Sequence, residues 1–86
     1  MTTTEIQDKL ARIIVEKLNS ALELEEVAWD STLREDLGID SLGAAELLFE
    51  IEEVFGTQIG TVDATSLLTV GDAVTAISRG LQSRAA

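Results

Sequence analysis

Apolar residues recur at helical spacing three times along this chain, and nowhere do they alternate long enough to make a convincing strand. That pattern confines the fold to helices packed on helices. The first stripe is Ile6, Leu10, Ile13, Ile14 and Leu18, with Lys9, Arg12 and Glu16 lying off it. The second is Leu47, Leu48, Ile51, Val54 and Phe55, and the third is Val70, Ala73, Val74, Ile77 and Leu81. Between the last two, Ile59 to Leu68 holds a short irregular or helical piece, with Val62, Ala64, Leu67 and Leu68 free to pack. The prediction is all-α: a small bundle of three longer helices and one short one around a single aliphatic core.

End signals sharpen it. Thr4 with Gln7 fits a capping box for the first helix. Asp40 is a good N-cap, Ser41 the first residue behind it, and Gly56 a favoured stop, so the second helix should run from Ser41 to Phe55. Thr69 caps the last helix, with Asp72 suiting the dipole in its first turn. Residues 19–39 show no sustained period and read as a long ordered loop, with Leu22, Leu24, Val27, Trp29, Leu33 and Leu37 as anchors and a short helical turn near Ser31–Glu35. Trp29 reads as a plug over the core. The 86 residues make one domain, 1–86, folded over about 4–81, with 82–86 a frayed tail.

The formal net charge is −10, and its whole excess falls in residues 23–53, whose carboxylates are opposed by Arg34 alone. Such a surface repels nucleic acid and attracts basic protein surfaces, an attraction that salt weakens. With no secretory leader and no membrane-spanning run, the expectation is a cytoplasmic monomer that uses neither nucleic acid nor membrane.

The acidic stretch contains Asp36-Leu37-Gly38-Ile39-Asp40-Ser41-Leu42. It sets one serine hydroxyl at the mouth of a helix, in a chain with no histidine and no cysteine. A nucleophilic serine needs a base and an oxyanion hole, and neither is in view, so no residue is assigned a catalytic role. The spacing fails an EF-hand loop, so no resident metal is expected either. A modified Ser41 makes better sense. A helix N-terminus carries about half a positive charge and free N–H groups, and so tolerates a phosphodiester. Gly38 leaves room for a modifying enzyme, and Asp36 and Asp40 suit transient Mg²⁺ while a phosphoryl group is delivered. Leu42, Ala45 and Phe49 form a second apolar strip on the following helix, flanked by glutamates, which reads as a docking patch.

The run from Asp36 to Leu42, then Glu46-Leu47, then Ile51-Glu52-Glu53-Val54-Phe55-Gly56, resembles the acyl carrier proteins, and the likeness extends to both outer helices. The resemblance implies a four-helix bundle. It implies 4′-phosphopantetheine, moved from coenzyme A onto Ser41 by a phosphopantetheinyl transferase with Mg²⁺ and helped by Asp40. The arm's thiol would carry an acyl chain as a thioester. Basic patches on ketosynthase, acyltransferase and other synthase partners would meet Glu46, Glu52 and Glu53, with Leu42, Ala45 and Phe49 as the apolar part. Leu47, Ile51, Ile59 and Leu67 would line a shelter for the acyl chain. Gly43 stands where housekeeping fatty-acid carriers often have an acidic residue, Gly60 where a proline is usual, and Asp63 is the one carboxylate kept in the third-helix region. These departures tilt the expectation towards a discrete carrier of a polyketide or other secondary-metabolite pathway. Two other readings stand beside it: an acidic interaction module without a prosthetic group, and a carrier loaded with an amino acid.

Overall fold

The computed structural model describes residues 2–57 and 67–85, with side chains as far as Gln82. Helix α1 runs Thr3–Ile13 and continues through a π turn, Ile14–Leu18. Helix α2 is Ser41–Phe55 and α3 is Val70–Ala85, with a 3₁₀ turn at Leu24–Glu26 in the α1–α2 loop. No named strand occurs among the described residues; Thr32 and Thr69 form an isolated bridge. The predicted short helix between Ile59 and Leu68 lies, apart from its last two residues, outside the described residues.

Each helix begins where a side chain can satisfy its free amides. The capping box of α1 is built by Thr2 and Glu5, two residues ahead of the expected Thr4 and Gln7. Thr2 Oγ1 accepts from Glu5 N–H at 3.2 Å, and Glu5 Oε1 accepts from Thr2 N–H at 3.4 Å. Both pairs have the right spacing; the carboxylate wins because it also answers the positive end of the helix. At α3, Thr69 Oγ1 accepts from Asp72 N–H at 3.2 Å while Asp72 Oδ2 accepts from Thr69 and Leu68 N–H at 3.1 and 3.0 Å. The helix then continues to Ala85, through most of the segment expected to fray.

The core draws Ile6, Leu10, Ile13 and Ile14 from α1, Ala44, Leu47, Ile51 and Phe55 from α2, and Val70, Ala73, Val74 and Ile77 from α3. Of the residues assigned to the α2 stripe, Val54 leaves it and Leu48 stays partly buried against the core. Val54 is 47% exposed and Leu48 only half-buried, because the buried arc is centred on Ala44, Leu47, Ile51 and Phe55 and both sit at its margins. Lys9 Nζ lies 6.0 Å from the centre of the Phe55 ring, a cation–π contact tying α1 to the end of α2.

The long loop is ordered by what it buries. Val27, Leu33, Leu37 and Ile39 enter the core, whereas Leu24 and Trp29 stay about half exposed. The helical turn expected near Ser31–Glu35 falls one residue later, where Thr32 O accepts from the amides of both Asp36 and Leu37 at 3.1 Å. The loop is then stitched to the start of α3: Leu33 N–H donates to Leu68 O, Val70 N–H to Ser31 O and Gly71 N–H to Trp29 O, at 2.9–3.0 Å. Trp29 covers Gly71 so closely that a Cβ there would stand 2.6 Å from the indole ring. The tryptophan is therefore a plug, over the first turn of α3.

Candidate functional site

The N-terminus of α2 is the point on which the loop converges. Leu37 and Ile39 are buried on either side of exposed Gly38, so the chain is held at two points and bends between them. Gly38 has φ +70°, a left-handed conformation that a side chain would strain. Ile39 N–H donates to Leu33 O at 2.7 Å, and Asn19 Nδ2 donates to Leu37 O at 3.0 Å. Asp40 then caps the helix: its Oδ1 accepts from Gly43 N–H at 2.8 Å, and its backbone O accepts from Ala44 N–H at 2.8 Å. A Cβ at Gly43 would meet Ile39 Cγ2 at 3.0 Å, so a larger residue there requires the Ile39 side chain to shift by a few tenths of an ångström.

Ser41 is the first residue of α2, with its side chain exposed. The neighbouring carboxylate is committed to the cap, and the chain has no histidine. This hydroxyl has nothing beside it to make it a nucleophile of its own, but it is open to an enzyme that supplies a base. Asp36 is likewise occupied: Thr32 N–H donates to its Oδ2 at 2.8 Å, closing the preceding turn. No cluster of three or more metal-ligating side chains occurs among the described residues.

Along α2 the predicted second strip is real. Leu42 is 70% and Phe49 61% exposed, and Ala45, Glu46 and Glu53 are exposed with them, while Glu52 is partly covered. Phe49 forms a ridge between two hollows. A groove of about 360 Å³ runs between α2 and the π turn, lined by Lys17, Leu18, Ala45, Glu46, Phe49 and Glu50. A shallower hollow of about 270 Å³ is lined by Phe49, Glu52, Glu53, Gly56 and Thr57. Neither touches the residues named for an acyl shelter. Leu47, Ile51 and Leu67 are buried in the core, and Ile59 lies outside the described residues. The sequence reading missed Asn19 and Ile39. The signal for the first is an asparagine just past an apolar stripe, a common helix stop.

An exposed serine opening a capped helix, entered through a left-handed glycine and followed by an acidic face with apolar ridges, fits a tether for a phosphate-linked group. The first-turn amides favour the phosphate, and Gly38 presents no side chain in the approach. Residues 8–77 match the phosphopantetheine attachment site family. A solved acyl carrier protein from Enterococcus faecalis is 35% identical and superposes with a TM-score of 0.72, the alignment covering 93% of this chain and 99% of that one. The chain belongs to the phosphopantetheine-bearing carriers and, among them, to the acyl carrier protein family. The prosthetic group of that family is 4′-phosphopantetheine, attached by phosphopantetheinyl transferases, and its members serve synthase enzymes. The helical fold expected from the sequence is thus the fold found. No helix among the described residues is long and apolar enough to cross a membrane.

Proposed function

We propose that Ser41 is the attachment serine, and that the protein is a discrete, monomeric cytoplasmic carrier with no catalysis of its own. The observation that carries this is the exposed Ser41 hydroxyl at the first position of α2, presented by the Asp40 cap and the Gly38 bend. In the transfer, the Ser41 oxygen attacks the phosphorus of coenzyme A that bears the pantetheine. The bond to adenosine 3′,5′-bisphosphate breaks, and the hydroxyl proton passes to a base of the transferase. Asp40 helps to place the transferase's Mg²⁺, with Asp36 nearby. Once attached, the group supplies a thiol on a flexible arm, to which acyl cargo is held as a thioester.

The partners are a phosphopantetheinyl transferase and synthase enzymes with basic docking patches, ketosynthase and acyltransferase among them. Leu42, Ala45 and Phe49 give the apolar contact, and Glu46, Glu52 and Glu53 the charge. Leu47, Ile51, Ile59 and Leu67 are the proposed shelter for cargo, and Leu47, Ile51 and Leu67 open to it only by local repacking, because all three are fully or almost fully buried. The pathway we favour is polyketide or other secondary metabolism rather than housekeeping fatty-acid synthesis. The small Gly43-Ala44-Ala45 start of α2 supports this.

Incubation with coenzyme A, Mg²⁺ and a broad-specificity transferase should add one phosphopantetheine, seen by intact mass, and Ser41→Ala should take none. A wild-type protein left unmodified, or an S41A variant that is modified, would overturn the assignment. The thioester-bound species on protein from its native host identifies the pathway.

A further inference from the structure

The turn that ends α1 lies far from Ser41 in sequence yet reaches its loop. Asn19 follows the π turn, and its side chain is pinned at both ends: Nδ2 donates to Leu37 O at 3.0 Å and Oδ1 accepts from Ala21 N–H at 3.2 Å. These partners fix which way the amide points, since a carbonyl only accepts and a backbone N–H only donates. The π turn sets the aim. Asn19 N–H reaches back to Ile14 O at 2.8 Å, one residue further than in an α-helix. The extra residue rotates the chain beyond it by roughly 100° relative to an unbroken α-helix. Gly38 comes next after the carbonyl that Asn19 holds, and a Cβ there would stand 3.5 Å from the same Asn19 Nδ2. The bend that precedes Asp40 and Ser41 therefore rests directly on the asparagine.

We infer that Asn19 is a positioning residue for modification of Ser41: through the Leu37 carbonyl it fixes the path of residues 37–40, and with it the direction in which the serine hydroxyl is offered to the transferase. This rests on the assignment of Ser41 above. Asn19 touches neither coenzyme A nor metal. Losing the clamp leaves the α2 docking surface intact but lets the serine sample unproductive directions, so the loss falls on turnover and not on carrier binding.

Asn19→Asp isolates the clamp. It keeps an oxygen for Ala21 N–H but sets an acceptor against the Leu37 carbonyl; Asn19→Ala removes both bonds. With saturating coenzyme A and Mg²⁺, well below the melting temperature of every variant, kcat should fall roughly five- to tenfold in both, the rate equivalent of one hydrogen bond. KM for the carrier should move less than twofold. Ile77→Val, a mild core truncation in α3, should lower the melting temperature and leave kcat alone. Hydrogen exchange at Gly38 and Ile39 should quicken in N19D, with Leu10 and Val74 unchanged. A folded N19D with wild-type kcat, or I77V slowed as much as N19D, would overturn the inference. With S41A run alongside, failure of the Ser41 assignment shows as an unmodified wild type or a modified S41A, and failure of the Asn19 role alone shows as N19D equal to a modified wild type.

Discussion

Asp40 caps α2 and is proposed to help place Mg²⁺ with the same carboxylate, and substitution can separate the two. Its Oδ1 holds Gly43 N–H at 2.8 Å, the N-cap of α2, and its charge stands next in sequence to the serine proposed to receive the phosphopantetheine. Asparagine caps a helix about as well as aspartate, whereas alanine forfeits about 0.5–2 kcal/mol. Asp40→Asn keeps an oxygen for Gly43 N–H and loses only the charge–dipole attraction, about 0.3–1 kcal/mol at an exposed end. Removing a negative charge from a strongly acidic stretch offsets part of that. In a domain of this size 1 kcal/mol moves the midpoint by roughly 4–8 °C, so D40A should melt several degrees below wild type and D40N within a few degrees of it. The order reverses in importance for chemistry. If the carboxylate helps to place Mg²⁺, both variants should be modified at least tenfold more slowly at a temperature where both are folded. The assays are thermal denaturation by circular dichroism and the time course of phosphopantetheinylation by intact mass. A D40N protein modified at the wild-type rate would leave Asp40 as a cap and nothing more. A D40N protein as unstable as D40A would refute the cap argument itself.

Two more variants probe other parts of the account. Gly71→Ala would set its Cβ 2.6 Å from the Trp29 indole, while Gly71 N–H is held at 2.9 Å by Trp29 O, so the ring and not the backbone must give way. We expect a loss of about 1–3 kcal/mol despite the better helix propensity of alanine, with a red shift in the emission of the sole tryptophan; unchanged or raised stability in urea denaturation would show that the ring does not seal this turn. Glu46→Lys with Glu53→Lys should raise KM for the transferase or a synthase partner several-fold at low salt, an effect that shrinks as salt is added, and a salt-independent KM equal to wild type would remove these glutamates from the docking surface.

Legibility in the sequence tracked how local the structure-determining groups are. Both ends of α2 were readable because Asp40 and Gly56 act on residues within a turn of themselves. The start of α3 was readable for the same reason in Thr69 and Asp72. The start of α1 was displaced because two cap-spaced pairs overlap, and the choice between them is an electrostatic difference smaller than the pattern can show. The π turn leaves no mark in the apolar spacing, since Ile13, Ile14 and Leu18 fit an α-helix equally well. Ile39, absent from the anchors read in the loop, is buried, and Val54, read into the α2 stripe, is 47% exposed, because burial at the margin of a pattern depends on tertiary packing that local spacing does not carry. The proposed attachment site is legible as letters and its geometry is not: the left-handed Gly38 and its hold by Asn19 join residues 18 or more apart.

The two faces of α2 explain why such a small protein needs so ordered a loop. One face, Ala44, Leu47, Ile51 and Phe55, is buried, and the other presents Leu42 and Phe49 to water among carboxylates. An apolar side chain on the exposed face would cost solubility if it were part of a large patch, so the ridges are few and separated by glutamates. If this face docks basic partners as proposed, charge governs how quickly they arrive, and the few apolar contacts limit how long they stay. A carrier that must leave each enzyme after one step benefits from a small, transient interface. On the proposed reading, a small docking surface does little to orient the complex, and the tether is aimed by the carrier's own backbone. That task falls on Leu37 and Ile39 in the core, on Gly38 between them, on the Asp40 cap, and on the amide of Asn19 behind them.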